Sequence, residues 1–400
     1  MRGALRETWS EQSTDHGGGA PEFPHSTEGR EQPISAHQSS RVGLQEIFVL
    51  ILSQTRGRQI SMTGCAATHQ RHPASARGPL STGAMRAIAL PGAPTSGGVI
   101  LDYIAYDRAH RRVWVPAGNT GSVDVINVDS GEVTRIDGFM TSEMERRGHK
   151  RIVGPGSATV GDGVVFVGNR GDSTVCAIDA ASLQRGACAK LDSMPDGLAY
   201  VGSTKEVWVT TPRDKSVTIV DASTPNAPFV KTKMTFDGEP EGFVVDDDRG
   251  VFYTNLEDKD RTLAIDIKSR HVAQTWLPAC GENGPKGLAL DRGRNFLIVA
   301  CADRVKVLDA GHDGKELSSV VTGDGVDNID YLEARHAVYA GAARAGKLTV
   351  AIVDAGGKLT SEAVIATATG ARNAVVTDDG VPYLTDAPEG KILAVTPPRR

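Results

Sequence analysis

Seven polar residues recur at near-constant spacing along this 400-residue chain: Asp102, Ser157, Asp196, Glu241, Lys286, Asn328 and Asn373, separated by 55, 39, 45, 45, 42 and 45 positions. Carboxylates and carboxamides are hard oxygen donors of the kind that hold Ca²⁺ or another divalent cation, with water completing the shell. On that reading the set is an oxygen-rich site for such a cation. Lys286 points the other way, because an ammonium beside Glu241 already neutralises part of the charge. The alternative is a solvated polar ring that takes a small-molecule or protein ligand without a metal.

Around Glu241 the stretch GEPEGFVVDDD places five carboxylates in eleven residues. Asp246 to Asp248 occupy a turn that Asp107, Asp291 and Glu333 mark elsewhere in the chain, so they read as structural. Glu239 lies in the preceding loop, and Glu241 alone belongs to the periodic set. A second constellation is basic: Arg146, Arg147, His149, Lys150 and Arg151 stand within six residues. They would clamp a phosphate, a carboxylate or single-stranded nucleic acid, or lean on acidic neighbours as a solvated loop. No aromatic residue accompanies them to stack on bases. Further cations, Arg170, Arg213, Lys215, Lys259, Arg261 and Arg344, recur in short turns where a rigid scaffold carries binding residues.

The elements that must position these residues are legible from an internal repeat. The alternating segments SVDVIN, TVCAID, SVTIVD, TLAID, RVKVLD, LTVAIVD and KILAVT end at Asn127, Asp179, Asp221, Asp266, Asp309, Asp354 and Thr396, at intervals of 52, 42, 45, 43, 45 and 42. One unit is therefore about 43 residues, and the long first interval holds an insertion, Thr141 to Ser157, that carries the basic cluster. Each unit reads as four short strands with Asp-, Gly- and Arg-rich turns. Four antiparallel strands repeated seven times predict an all-β, seven-bladed β-propeller. The last unit lacks a fourth strand, and RAIALPG, Arg86 to Gly92, precedes the first unit as an orphan. Pairing the two closes the ring and removes an exposed edge. In this architecture the innermost strand of each blade lines a central channel, and the seven periodic residues open those strands at its mouth.

Two repeats, VFYTNLEDKDRTLAIDIKSRHV and VWVTTPRDKSVTIVDASTPNAPFV, resemble YVTN-type repeats, in which a strand ending near Tyr-Val-Thr-Asn leads to Thr-Val-x-Val-Ile-Asp. The resemblance covers roughly Met85 to Pro398 and implies the propeller architecture. For function it implies a binding or interaction module working through the channel-mouth face, since related propellers include surface-layer and periplasmic binding proteins, some binding DNA, and enzyme subunits. The oxygen-rich ring is also similar to the metal site of gluconolactonase and senescence-marker propellers, which implies a cation-dependent, lactonase-like hydrolase as the competing reading, with Asp196, Glu241, Asn328 and Asn373 as ligands of a cation that polarises a lactone carbonyl. Single-stranded nucleic-acid binding is the third.

Composition fits these expectations. Gly 45 and Pro 20, with a net charge of -5, suit many strands and tight turns and argue against a generic polyanion binder. Cys176 and Cys188 fall opposite each other on neighbouring strands, and Cys280 and Cys301 both approach the ring face, so two disulfides are expected if these are not simply buried thiols. Two bridges would favour an oxidising compartment, periplasmic or secreted. His110, His271, His312 and His336 show no metal-ligand spacing, and Trp114, Trp208 and Trp276 are too few for the docking motifs of a quinone cofactor. Residues 1–84 lack Lys and any sustained period and read as a disordered or leader-like extension, with residues 85–400 forming the propeller. Within the extension, IFVLIL and SMTGCAA with Cys65 suggest a lipoprotein or signal site at atypical spacing. No span of membrane-crossing length is evident, and a monomer is expected.

Overall fold

A computed structural model describes residues 83–397 except residue 147, and the side chain of Arg146 is outside the description. The expected extension over residues 1–84, with its apolar run and Cys65, lies outside the described residues except for its last two, and Ala84 already opens the closing strand. The remainder forms seven four-stranded antiparallel sheets arranged as blades, plus one two-stranded hairpin. No helix of the described residues is long and apolar enough to cross a membrane.

The blades follow from strand chemistry. The second and third strands of each blade are fully sandwiched, so they read as continuous Val- and Ile-rich runs: every residue of Val164–Asn169 and Glu206–Thr211 is buried. Fourth strands lie at the rim and alternate or face water, as Phe229–Thr235 does with no residue fully buried. Between blades the apolar faces interlock. Trp114, Val123 and Val125 of the first blade pack on Ala158, Val165 and Val167 of the second, and Trp208 meets Phe252 at a ring separation of 4.8 Å. Each blade therefore completes its core only against its neighbours.

Closure is as the orphan strand predicts, shifted slightly toward the N-terminus. Ala84–Ala89 pairs antiparallel with Lys391–Thr396, from Ala84 opposite Thr396 to Ala89 opposite Lys391, and supplies the fourth strand of blade 7. The insertion between blades 1 and 2 is not a loose loop. Ser142–Arg146 and His149–Val153 pair as a hairpin, and Lys150 is bound to Glu143 at 2.8 Å.

One irregularity governs the channel mouth. The innermost strands of blades 2, 4, 6 and 7 each carry a β-bulge near their start, between Pro155 and Ser157, Pro240 and Phe243, Val326 and Ile329, and Arg372 and Val375. A bulge sets two residues against one on the partner strand, so the pair diverges in direction.

Candidate functional site

At each mouth position two consecutive residues share the work. The first enters the channel and the second turns into the wall. In blades 3, 4 and 5 the second residue is glycine, because the neighbouring chain passes too close for a side chain. A Cβ on Gly242 would stand 1.9 Å from the Lys286 carbonyl oxygen. The first residues are Asp102, Gly156, Asp196, Glu241, Lys286, Asp327 and Arg372, and all but Gly156 line one cavity of about 660 Å³.

This pairing corrects three of the sequence-predicted ring positions. Ser157 is fully buried. Asn328 and Asn373 border a different cavity, on the opposite side of Tyr103. All three are the second, wall-directed member of a bulged pair, whereas Asp196, Glu241 and Lys286 are first members. Asn373 adopts a left-handed backbone, φ 52, and its side chain ties three blades together. Its amide donates to the Asp102 carbonyl and carboxylate at 3.2 and 3.1 Å, and its oxygen accepts the Asn328 backbone N–H at 3.0 Å. It is a closure residue of the ring and has no free donor set for a cation. Aligning the repeats on the glycines of Asp-Gly, Glu-Gly and Lys-Gly, rather than on polarity, brings Asp327 and Arg372 into register.

Blade 2 solves the missing side chain at Gly156 in another way. Arg170, from the end of the second strand, crosses the place that a side chain there would fill: a Cβ on Gly156 would lie 2.9 Å from the Arg170 Nε. The guanidinium reaches Asp102 at 2.7 Å and Asp196 at 2.5 Å and donates to the Pro195 carbonyl at 3.3 Å. Every blade thus places one ionisable group at the mouth, in the order Asp102, Arg170, Asp196, Glu241, Lys286, Asp327 and Arg372.

Electrostatics follow from confinement. Burial pushes the Asp196 carboxyl up to about 7; Arg170 opposes the rise, while Asp102, Glu241 and Asp327 add to it. Asp327 is also raised by burial, against the pull of Arg372, to which it is paired at 2.5 Å. Burial works against the Arg170 charge, but Asp196 and Asp102 more than offset it and hold the guanidinium protonated. Lys286 is lowered by burial. Its ammonium meets Glu257, from the second-to-third strand turn, and the Glu241 charge expected from sequence also acts on it, opposing the fall.

Beneath this ring lies Tyr103. Its phenol is raised far above the usual range, first by burial and then by Asp196, Asp102, Glu241 and Asp327, the four carboxylates of the ring. Tyr103 borders both the mouth cavity and a second cavity of about 270 Å³, and its ring stands 5.5 Å from Phe243. The aromatic pair therefore makes a floor to the mouth.

The outer rim is built from loops. Glu239, Glu257, Asn283 and Arg344 line it, and the inserted hairpin contributes Met144 and Arg151. Of the basic cluster, then, the structure brings Arg151 to the site, while His149 and Lys150 are exposed and Arg147 is outside the described residues. Arg213, a turn residue, also reaches the rim and contacts the Met144 sulfur at 2.6 Å. Among the described residues no group of three or more His, Cys, Asp or Glu side chains is placed to hold a metal ion. Cys176 and Cys188 are disulfide-bonded with Cα atoms 4.0 Å apart, and Cys280 and Cys301 with Cα atoms 5.2 Å apart.

No family model matches the chain, and no curated protein matches it by sequence. Solved structures do resemble it. A chain of the mitotic checkpoint complex aligns with a TM-score of 0.64 at 14% identity, over 86% of this chain and 99% of that one. Streptogramin B lyase aligns with a TM-score of 0.61 at 10% identity, over 79% of this chain and 98% of that one. Identities this low show a common fold, and the two neighbours serve unlike roles by their descriptions. The fold is shared; the charged mouth has to be interpreted from its own residues.

Proposed function

We propose that this protein is a ligand-binding or protein-interaction propeller of the YVTN type that works through its channel-mouth face. The observation that carries the reading is the cavity of about 660 Å³ into which every blade sends one ionisable side chain. A purely structural channel needs polar walls, but it has no need of six different blades' charges, a cross-blade arginine and an aromatic floor in one concave space. The mitotic checkpoint neighbour, described as part of a complex, is in keeping with a propeller acting as an interaction module. The two disulfides support an oxidising compartment, periplasmic or extracellular.

The cation-dependent hydrolase is the weaker reading. Two of its four expected ligands, Asn328 and Asn373, point away from the mouth, and Asp196 is already bound to Arg170. The described donors therefore do not fit a Ca²⁺ or similar site. Nucleic-acid binding loses its main support too, because Lys150 is paired with Glu143 and the mouth carries as many acidic as basic groups. The test is a soluble-ligand panel of amines, carboxylates, sugars and short peptides screened by ligand-observed NMR against the wild type and Glu241→Trp, which fills the mouth. Ligands that bind the wild type and are lost in a folded Glu241→Trp establish the site. Binders that survive the plug, or a panel without binders, would overturn it.

A further inference from the structure

One innermost strand carries a charge that its counterparts lack. Asp330 of blade 6 stands opposite Tyr339 of the second strand, three residues past the mouth position Asp327. The equivalent places in the other blades hold Ala105, Thr159, Ala199, Val244, Ala289 and Val375. A blade therefore folds without a carboxylate here. Asp330 accepts the backbone N–H groups of Tyr331 at 2.8 Å and of Val376, from blade 7, at 2.7 Å, which leaves lone pairs on the carboxylate unused. It forms no salt bridge among the described residues, because Arg108, whose charge acts on it, is bound to Asp378 at 2.7 Å. Burial raises its carboxyl to about 6, so at neutral pH it stands ionised without a counterion.

The same residue stands where two cavities meet. Asp330 borders both the chamber of about 270 Å³ on the side of Tyr103 away from the mouth and a further cavity of about 420 Å³ toward the opposite end of the channel. Ile104, Phe243, Leu288, Ile329 and Val375 give the chamber an apolar wall. The other charged groups on the two cavities already have partners. Asp102 is bound to Arg170 and Arg108 to Asp378, Arg292 donates to the Val245 carbonyl at 3.1 Å, and Glu333 accepts the Gly293 N–H at 3.1 Å. A concave apolar space with one uncompensated carboxylate narrows the choice of ligand. An anion is repelled, a neutral molecule buries the charge unanswered, and a hard metal ion finds a single carboxylate where it needs about six oxygens. An ammonium on a hydrocarbon body answers both the wall and the charge.

We propose that this chamber is a second site, separate from the mouth, for a small primary amine with an apolar body. The ammonium sits on Asp330, and the hydrocarbon lies against Phe243, Leu288 and Ile329. The far cavity, which shares Asp330, Arg108 and Leu288 with the chamber, is the way in. The assignment does not draw on the reading of the mouth.

The experiment is titration calorimetry of the full chain at about pH 8, where Asp330 is ionised and an alkylamine still charged, with phenethylamine, 2-phenylethanol and 3-phenylpropionate as probes. Phenethylamine binds, and the alcohol and the carboxylate bind at least about tenfold more weakly. Asp330→Asn, which keeps shape and an acceptor oxygen, weakens phenethylamine by about tenfold or more. Val375→Phe, which narrows the chamber, weakens it too, and Glu241→Trp at the mouth leaves it unchanged. Below about pH 6 the ammonium must displace a proton from Asp330, so wild-type affinity falls by up to about tenfold per unit, and this fall is absent in Asp330→Asn. Melting curves identify a variant that fails to fold; the comparison of the three probes and the wild-type pH profile then decide. Absent phenethylamine binding, 3-phenylpropionate binding as tightly, a flat wild-type profile, or affinity indifferent to Asp330→Asn would each overturn the chamber assignment. Loss of phenethylamine in Glu241→Trp with Asp330→Asn unaffected would move the amine to the mouth. A binder that survives Glu241→Trp and is lost in Asp330→Asn belongs to the chamber and does not count against the mouth.

Discussion

The two ends of the channel are built from the same strands and obey opposite rules. At the end away from the mouth, the turn after the innermost strand repeats one device in blades 1, 4 and 5. Asp107, Asp246 and Asp291 are buried and accept from the backbone of the next turn, and each meets a basic residue three positions on, His110, Arg249 and Arg294. At the mouth no such repetition holds, and seven equivalent places carry acid, arginine, acid, acid, lysine, acid and arginine. Repeated chemistry in a repeat protein is scaffold, since every blade faces the same folding problem. Chemistry that differs from blade to blade at equivalent positions answers a demand from outside the repeat. The strand Pro240–Asp246 contains both kinds, with Glu241 at the mouth and Asp246 at the turn.

The largest expected effect comes from breaking the mouth where it is most tightly coupled. Arg170→Ala leaves Asp102 and Asp196 facing each other without the guanidinium that holds them. The variant should lose about 3–5 kcal/mol of stability and its mouth binding with it, measured by urea unfolding and calorimetry. A loss below about 1 kcal/mol would mean that the pair is solvent-screened like an ordinary surface bridge.

The disulfides sharpen the comparison next. Cys176–Cys188 joins two neighbouring strands of blade 2, while Cys280–Cys301 tethers the loop that delivers Asn283 and Lys286 to the mouth. Loops of this size predict a loss of about 3 kcal/mol for removing either bridge on the chain-entropy account. Paired serine substitutions at 280 and 301 should weaken ligand binding at the mouth as well. The same change at 176 and 188 should alter melting alone. Equal effects of the two on binding would break the distinction between a bridge that positions the site and one that only stabilises a blade.

At the opposite end, Asp291→Ala removes the carboxylate that caps Arg294 and accepts from the Tyr331 hydroxyl at 2.5 Å. It should cost about 2–3 kcal/mol, the penalty of orphaning buried partners, with ligand affinity at the mouth unchanged. A shift in that affinity would show that the two ends are mechanically coupled.

Much of this was legible in the chain before any coordinates. Strand alternation and the 42 to 45 residue period locate seven blades, the closing strand and the inserted segment. The site was legible only in part, for a reason that particular residues make plain. Alignment of the mouth by polarity lands on Ser157, Asn328 and Asn373, of which Asn373 ties the wall together through its side chain, while Ser157 Oγ and Asn328 Nδ2 are buried without a hydrogen-bond partner among the described residues. A bulge shifts direction by one residue without altering composition, so Asp327 and Arg372 were hidden beside them. Arg170 was harder still. It belongs to a different strand, and only the bare position at Gly156 signals that something from elsewhere fills the gap. The DDDR turn after Glu241 was readable as structural because its pattern recurs, and Asp246 does pair with Arg249 at 2.9 Å.

The smallest effect is a pH dependence that separates the two ends by titration rather than by mutation alone. Burial raises Asp196 at the mouth to about 7 and Asp330 beside the other cavity to about 6. Both are acids whose folded value lies above the unfolded one, so each penalises the native state increasingly as pH climbs from about 4 to its own value and constantly above it. Their consequences for binding differ. Protonating Asp196 removes one partner of the Arg170 guanidinium that crosses the mouth, so ligand binding there should change as pH falls through about 7. Asp330 accepts the backbone N–H groups of Val376 and Tyr331 at 2.7 and 2.8 Å, and its ionisation leaves the mouth unchanged. Ligand binding at the mouth measured across this range should therefore vary with pH in the wild type and in Asp330→Asn alike, while Asp196→Asn shows a flat profile. A flat wild-type profile would place the ligand away from Asp196, and a profile moved by Asp330→Asn would mean that the Tyr103 floor transmits charge between the chambers instead of separating them.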